Sequence, residues 1–106
     1  MAAAMVARCS GSNYFTTVDT LFRNQGAWAY AGNYVSAIKS VVSSVGITSA
    51  YVDACLATPG LRDGILAIEQ AGITLGVGGT PTFFINTQKI VGAQPYAIFA
   101  AAIDSM

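Results

Sequence analysis

The stretch Gly76–Gly92, GVGGTPTFFINTQKIVG, constrains this chain more than any other. It reads as a loop, a Thr80-Pro81 step, a buried strand over Thr82–Ile85, a turn at Asn86–Gln88 and a second strand over Lys89–Val91. A proline at the mouth of an apolar strand removes a ladder donor, so its position there calls for a structural reason. Gly76, Gly78, Gly79 and Gly92 let the flanking backbone turn sharply and approach other groups closely. Phe83 and Phe84 point to opposite faces of their strand, so both faces call for cover. A two-stranded hairpin is marginal by itself, and no other segment of the chain is a good candidate for a neighbouring strand.

What precedes the hairpin reads as helical. Ala2, Met5, Val6 and Cys9 fall at helical spacing over Met1–Cys9. Ser10-Gly11-Ser12 ends that segment. Ser12 or Asn13 is placed to cap the next helix, with Tyr14, Phe15, Val18, Leu21 and Phe22 as its apolar face. Asn24–Gly26 breaks the pattern, and Trp28 and Tyr30 follow in a short aromatic segment. The clearest helix is Tyr34–Val45, where Val35, Ile38, Val42 and Val45 form a stripe and Gly46 takes the terminating position. Thr48 or Ser49 caps a helix through Val52, Cys55 and Leu56. Thr58-Pro59 predicts a further start, with proline at the first helical position. That helix carries Leu61, Ile65, Leu66 and Ile68 and ends near Ile73 or Thr74. Beyond the hairpin, Gln94-Pro95 opens a last helix with Ile98, Phe99, Ala102 and Ile103 on one face. The chain thus divides into a helical part, 1–75, and a strand-strand-helix part, 76–106.

Composition narrows the function. Of 106 residues, 54% are hydrophobic and 9% charged, against a usual charged share of about 25%. Part of that apolar content is expected to face something outside this chain. Five basic and five acidic residues cancel, and they are scattered singly. No basic patch for nucleic acid and no polybasic membrane signal results. No run reaches the ~18 uninterrupted apolar residues of a membrane-spanning helix. Met1–Ala7 lacks the basic leader of a signal peptide, and a start inside an apolar helix reads as a truncation. The absence of histidine excludes Ser-His-Asp and Cys-His catalysis and most zinc sites. Two cysteines alone cannot close a tetrahedral metal site, and no cofactor is expected.

Several residues carry competing readings. Cys9 and Cys55 sit on different predicted helices and are compatible with either redox compartment. Neither lies at a helix N-terminus beside a basic cluster, so neither reads as a reactive thiol. They remain either a bridged pair or two buried free thiols. Trp28, Tyr30 and Tyr34 are read as core in preference to a peptide groove, and Asp19 and Glu69 as solvated carboxylates in preference to an acid-base pair. Gly76–Thr80 is not a phosphate loop: no Lys-Ser/Thr follows it, and it leads from helix to strand.

The run Gly76–Asn86, then Ile90-Val91-Gly92-Ala93, Gln94-Pro95-Tyr96 and the terminal helix, resembles the C-terminal end of a thioredoxin-fold protein. Within that fold, the helical stretch from Met5 to Ile73, including Asp19–Ala29 (DTLFRNQGAWA), resembles the helical insertion of the DsbA-like disulfide oxidoreductases. The resemblance covers nearly the whole chain. It implies an α/β fold of thioredoxin type, mostly helical here, with an insertion domain followed by a β-β-α unit. It also implies thiol-disulfide exchange with unfolded proteins or peptide thiols, a periplasmic setting, and a cis Thr80-Pro81 loop in which Gly79, Thr80 and Pro81 bind substrate. Some DsbA-like proteins carry a second, non-catalytic disulfide in the helical domain, and Cys9 with Cys55 is similar to that pair.

This sequence departs from the family at its catalytic unit, because it contains no C-x-x-C. The chain is therefore expected to be a C-terminal portion, without catalytic residues of its own. Alone, with Cys9 and Cys55 changed to Ser, it is expected not to form disulfides in a reduced test protein. Two other readings stand beside this one. The kappa-class glutathione transferases and chromene-carboxylate isomerases share the architecture but use a serine-type site with glutathione. Alternatively, the chain is a non-catalytic helical module that self-associates through its exposed strand edge.

Overall fold

The computed structural model describes residues 1–106. Helices α1 (Ala2–Cys9), α2 (Tyr14–Arg23), α3 (Gln25–Trp28), α4 (Tyr34–Val42), α5 (Ser49–Leu56) and α6 (Leu61–Thr74) come first. Strands β1 (Thr82–Ile85) and β2 (Gln88–Val91) and helix α7 (Tyr96–Asp104) follow. The chain forms two units, Met1–Ala67 and Ile68–Met106, with the division inside α6. No helix is long and apolar enough to cross a membrane.

The first unit is built on the predicted stripe of α4. Ile38 and Val42 are buried and meet Val6, Ala7, Leu21, Ile47 and Val52 in one core. The ends of α4 and α5 follow their capping chemistry. The Asn33 side chain accepts from the Ser36 amide at 3.1 Å, and the Thr48 hydroxyl oxygen accepts from the Tyr51 amide at 3.1 Å. Beyond α4, a 3-10 turn over Ser43–Val45 leads to Gly46 at φ 83°. The Gly46 and Ile47 amides then donate to the Ser43 and Val42 carbonyls. This Schellman closure folds Ile47 back onto the core beside Val42. A disulfide joins Cys9, the last residue of α1, to Cys55 of α5, with the Cα atoms 6.0 Å apart. The Tyr51 hydroxyl donates to the Cys9 carbonyl at the same junction. Lys39 and Asp53 add an ion pair between α4 and α5 at 2.8 Å.

Three expectations for this unit need correction. On α2 the buried residues are Thr17 and Leu21, while Phe15 is 82% and Phe22 69% exposed. The buried line runs through the i, i+4 pair Thr17–Leu21, which turns both phenylalanines outward. Pro59 is not the first residue of α6. Gly60, at φ 79°, separates it from the helix, and the Thr58 hydroxyl bonds back to the Ala54 carbonyl of α5 in place of capping forward. Of the aromatic trio, Trp28 packs on the core and its indole N–H donates to the Leu21 carbonyl at 2.8 Å. Tyr30 and Tyr34 are exposed.

In the second unit β1 and β2 pair antiparallel, Thr82 with Val91, Phe83 with Ile90, Phe84 with Lys89 and Ile85 with Gln88. Asn86, at φ 56°, begins the connecting turn, a left-handed position that asparagine tolerates. The second strand starts one residue earlier than expected, at Gln88. Phe83 packs edge-on to Phe99 of α7 at 4.9 Å between ring centres. Ile90, opposite Phe83 and so on the same face, is buried. Phe84 and Val91 lie on the other face and are exposed. The reading of Thr82–Ile85 as a buried strand is thus overturned: Phe83 is 41% and Phe84 43% exposed, because the sheet has two strands only. Likewise no residue of α6 is buried, although Leu61, Ile65, Leu66 and Ile68 read as its apolar face.

Candidate substrate-binding loop

The geometry of the loop over Gly76–Pro81 is fixed from both ends. At its start, the Gly76 amide donates to the Ile73 carbonyl and the Val77 amide to the Gly72 carbonyl, each at 3.0 Å. These two bonds form a Schellman closure around Gly76, which sits at φ 83°. A side chain at Gly76 would be strained by that φ and would crowd the Lys89 ammonium, whose Nζ donates to the Gly76 carbonyl at 3.1 Å. At its other end, the Gly92 amide donates to the Pro81 carbonyl at 2.7 Å, and the Thr82 hydroxyl donates to the Gly79 carbonyl at 2.6 Å. The Thr80-Pro81 peptide bond is cis.

Between these anchors the three singled-out residues, Gly79, Thr80 and Pro81, are contiguous and exposed. No hydrogen bond within the chain uses the amide or carbonyl of Thr80. The adjoining strand adds to this edge. Because the Pro81–Gly92 pair is bonded, the alternation of an antiparallel ladder turns the N–H and C=O groups of Thr82 and Phe84 away from β2. With no strand beyond β1, those groups are free.

Beside the loop lies a groove of about 420 Å³ within the second unit, between the end of α6 and Val77–Thr80. Ile68, Ile73 and Val77 make it apolar, and Glu69 is its one charged residue. From its sequence position Glu69 reads as a solvated helix carboxylate, and the fold sets it in one groove with Thr80. The available signal was Gly76: a helix-ending glycine at φ 83° turns the chain back so that Val77 lies 3.9 Å from where a Gly72 Cβ would stand.

The other singled-out residues do not join this loop. Cys9 and Cys55 are consumed in their own disulfide in the first unit, and no free cysteine remains. Cys55 is buried. Trp28 and Tyr34 line a separate cleft of about 250 Å³ with Ile38, and Tyr30 is outside it. Asp19 pairs with Arg23 at 2.8 Å one helical turn away, which makes it a surface carboxylate. No cluster of three or more metal-ligating side chains occurs.

Comparison with known proteins gives one finding. A family model described as thioredoxin matches residues 1–105. No curated protein and no solved structure matches the chain.

Proposed function

Because the chain belongs to the thioredoxin family, we propose that it is the substrate-binding part of a DsbA-like thiol-disulfide oxidoreductase, with Gly79, Thr80 and Pro81 holding an extended, unfolded substrate. In this reading Met1–Leu75 is the helical insertion domain. The observation that carries it is the exposed Thr80 backbone, whose N–H and C=O have no partner in the chain. An extended peptide satisfies both by pairing as a strand does. In the exchange itself, a substrate thiolate attacks the disulfide of a dithiol partner. That S–S bond breaks, one sulfur joins the substrate and the other leaves as a thiolate. A second substrate thiolate then displaces the bound sulfur. The substrate loses two electrons and gains a disulfide, while the dithiol receives the electrons with two protons.

The dithiol in this scheme is not Cys9–Cys55. Cys55 is buried, and the pair ties α1 to α5 within the first unit. A bridged pair of this kind fits an oxidising compartment such as the periplasm, where disulfides persist. The test is a titration of the isotopically labelled chain with an extended peptide whose cysteines are blocked, followed through the backbone amides. The Gly79 and Thr80 amides should shift, and hydrogen exchange at Thr80 should slow. Saturable binding that leaves both amides unmoved would refute the assignment.

A second reading, self-association, is favoured by the free N–H and C=O groups of Thr82 and Phe84 on the outer edge of β1. It predicts a mass above that of one chain by sedimentation, reduced by Phe84→Lys.

A further inference from the structure

We propose that the groove beside Thr80 selects peptides carrying a basic side chain next to an apolar one, with Glu69 as the selecting group. This inference rests on Thr80 being the substrate-pairing residue. Its first support is continuity: Thr80 lines the same groove as Val77, Ile73 and Ile68, so a peptide paired with the Thr80 backbone lies at the groove's own wall. The second is size. About 420 Å³ lies within the usual range of ligand pockets. It accepts an apolar side chain together with the methylene stem of a lysine or arginine, whose charged head stays in water.

The third support is charge. Glu69 is the only charged residue of the lining, and its carboxylate makes no ion pair and no side-chain hydrogen bond in the chain. Lys89, the cation of β2, is held at the Gly76 carbonyl and is not part of the lining. A carboxylate on an apolar wall attracts an ammonium or guanidinium through a charge-assisted hydrogen bond and repels an acidic residue. The groove is open to solvent, so the gain is that of a surface ion pair. That corresponds to a roughly two- to five-fold preference for the basic peptide at low ionic strength.

The experiment compares two cysteine-blocked peptides of equal length that differ only in Leu-Lys against Leu-Glu, titrated onto the labelled chain. The Leu-Lys peptide should bind about two- to five-fold more tightly, and the difference should shrink toward unity in ~0.5 M salt. Its binding should move the Gly72 and Val77 amides together with that of Thr80. Glu69→Gln should remove the preference, and Glu69→Lys should reverse it. Equal affinities with Thr80 still responding would overturn the groove's role and leave the Thr80 assignment standing. Absence of any Thr80 response to either peptide would overturn both. Concentration-dependent shifts of Gly72 and Val77 without peptide would show that a second copy fills the groove, which also overturns it.

Discussion

The two units use similar apolar material to different ends. In Met1–Ala67, stripes on α1, α2, α4 and α5 converge on one core, and Val6, Val42 and Val52 are fully buried. In Ile68–Met106, only Ile90 and Ala102 are buried, while Ile68, Ile73, Phe84, Val91, Ile98 and Ile103 are exposed. The first unit therefore holds its structure by its own packing. The second is organised mainly by backbone hydrogen bonds, two around Gly76 and one hairpin ladder, with one aromatic side-chain contact, Phe83 on Phe99. Its loop stays exposed beside an apolar groove, as the proposed substrate-binding role requires.

If that contrast is correct, the largest losses of stability should all come from the first unit. Trp28, the only tryptophan, reports on it, because its indole is anchored to the Leu21 carbonyl. The Cys9–Cys55 bridge closes a sequence separation of 46 residues, and its loss costs about 4 kcal/mol in the chain-entropy model. Urea unfolding followed by Trp28 fluorescence should show a loss of that order for the double variant Cys9→Ser/Cys55→Ser. A loss below ~1 kcal/mol would mean that packing alone holds α1 against α5. Next comes Ile38→Ala. Ile38 is 1% exposed at the centre of the core, and its truncation should cost about 3 kcal/mol. The same fluorescence transition measures it, and an unchanged midpoint would contradict the core described here.

What could be read in advance follows the same division. Val35, Ile38 and Val42 announced α4 because their spacing is that of one helical face, and Gly46 announced its end because a left-handed residue is needed there. Thr48 announced α5 through its capping oxygen. The pairing of Thr82–Ile85 with the following strand was legible from the turn around Asn86. Thr17 was not, since a hydroxyl-bearing residue does not register in an apolar pattern, and its place on the core turned Phe15 and Phe22 outward. Pro59 misled because a start signal depends on the φ of the residue after it, and Gly60 is left-handed. The exposure of Phe84 and of the apolar residues of α6 escaped for a different reason. A pattern reveals which face is apolar, but not what covers it. The groove at Glu69 escaped because it is made by a chain reversal, which brings together residues from two elements.

Thr17 supplies a smaller effect of opposite sign. Its hydroxyl is fully buried and has no hydrogen-bond partner, although an α-helical threonine can ordinarily reach the carbonyl four residues back. An unpaired buried hydroxyl costs more than it returns, and valine has nearly the same shape. Thr17→Val should therefore stabilise the first unit by about 1 kcal/mol, read again from the Trp28 transition. A destabilisation would show that the hydroxyl has a partner after all.

The smallest effect is the sharpest check on the contrast, because it repeats the Ile38 substitution where little packing exists to lose. Ile103 occupies α7, a helix like α4, but is 53% exposed. Truncating it removes a side chain that is half in water already, and alanine is the better helix former by a few tenths of a kcal/mol. These terms nearly cancel, so Ile103→Ala should change stability by less than ~0.5 kcal/mol. Trp28 does not report on this unit, so the measurement is hydrogen exchange at the Phe83 and Ile90 amides, which pair across the hairpin. Protection there should be unchanged within about two-fold. A loss comparable to that of Ile38→Ala would mean that the exposed face of α7 is already covered in solution. The second unit would then be a packed body like the first, with Phe84 and Val91 as the next residues to test for the surface that covers it.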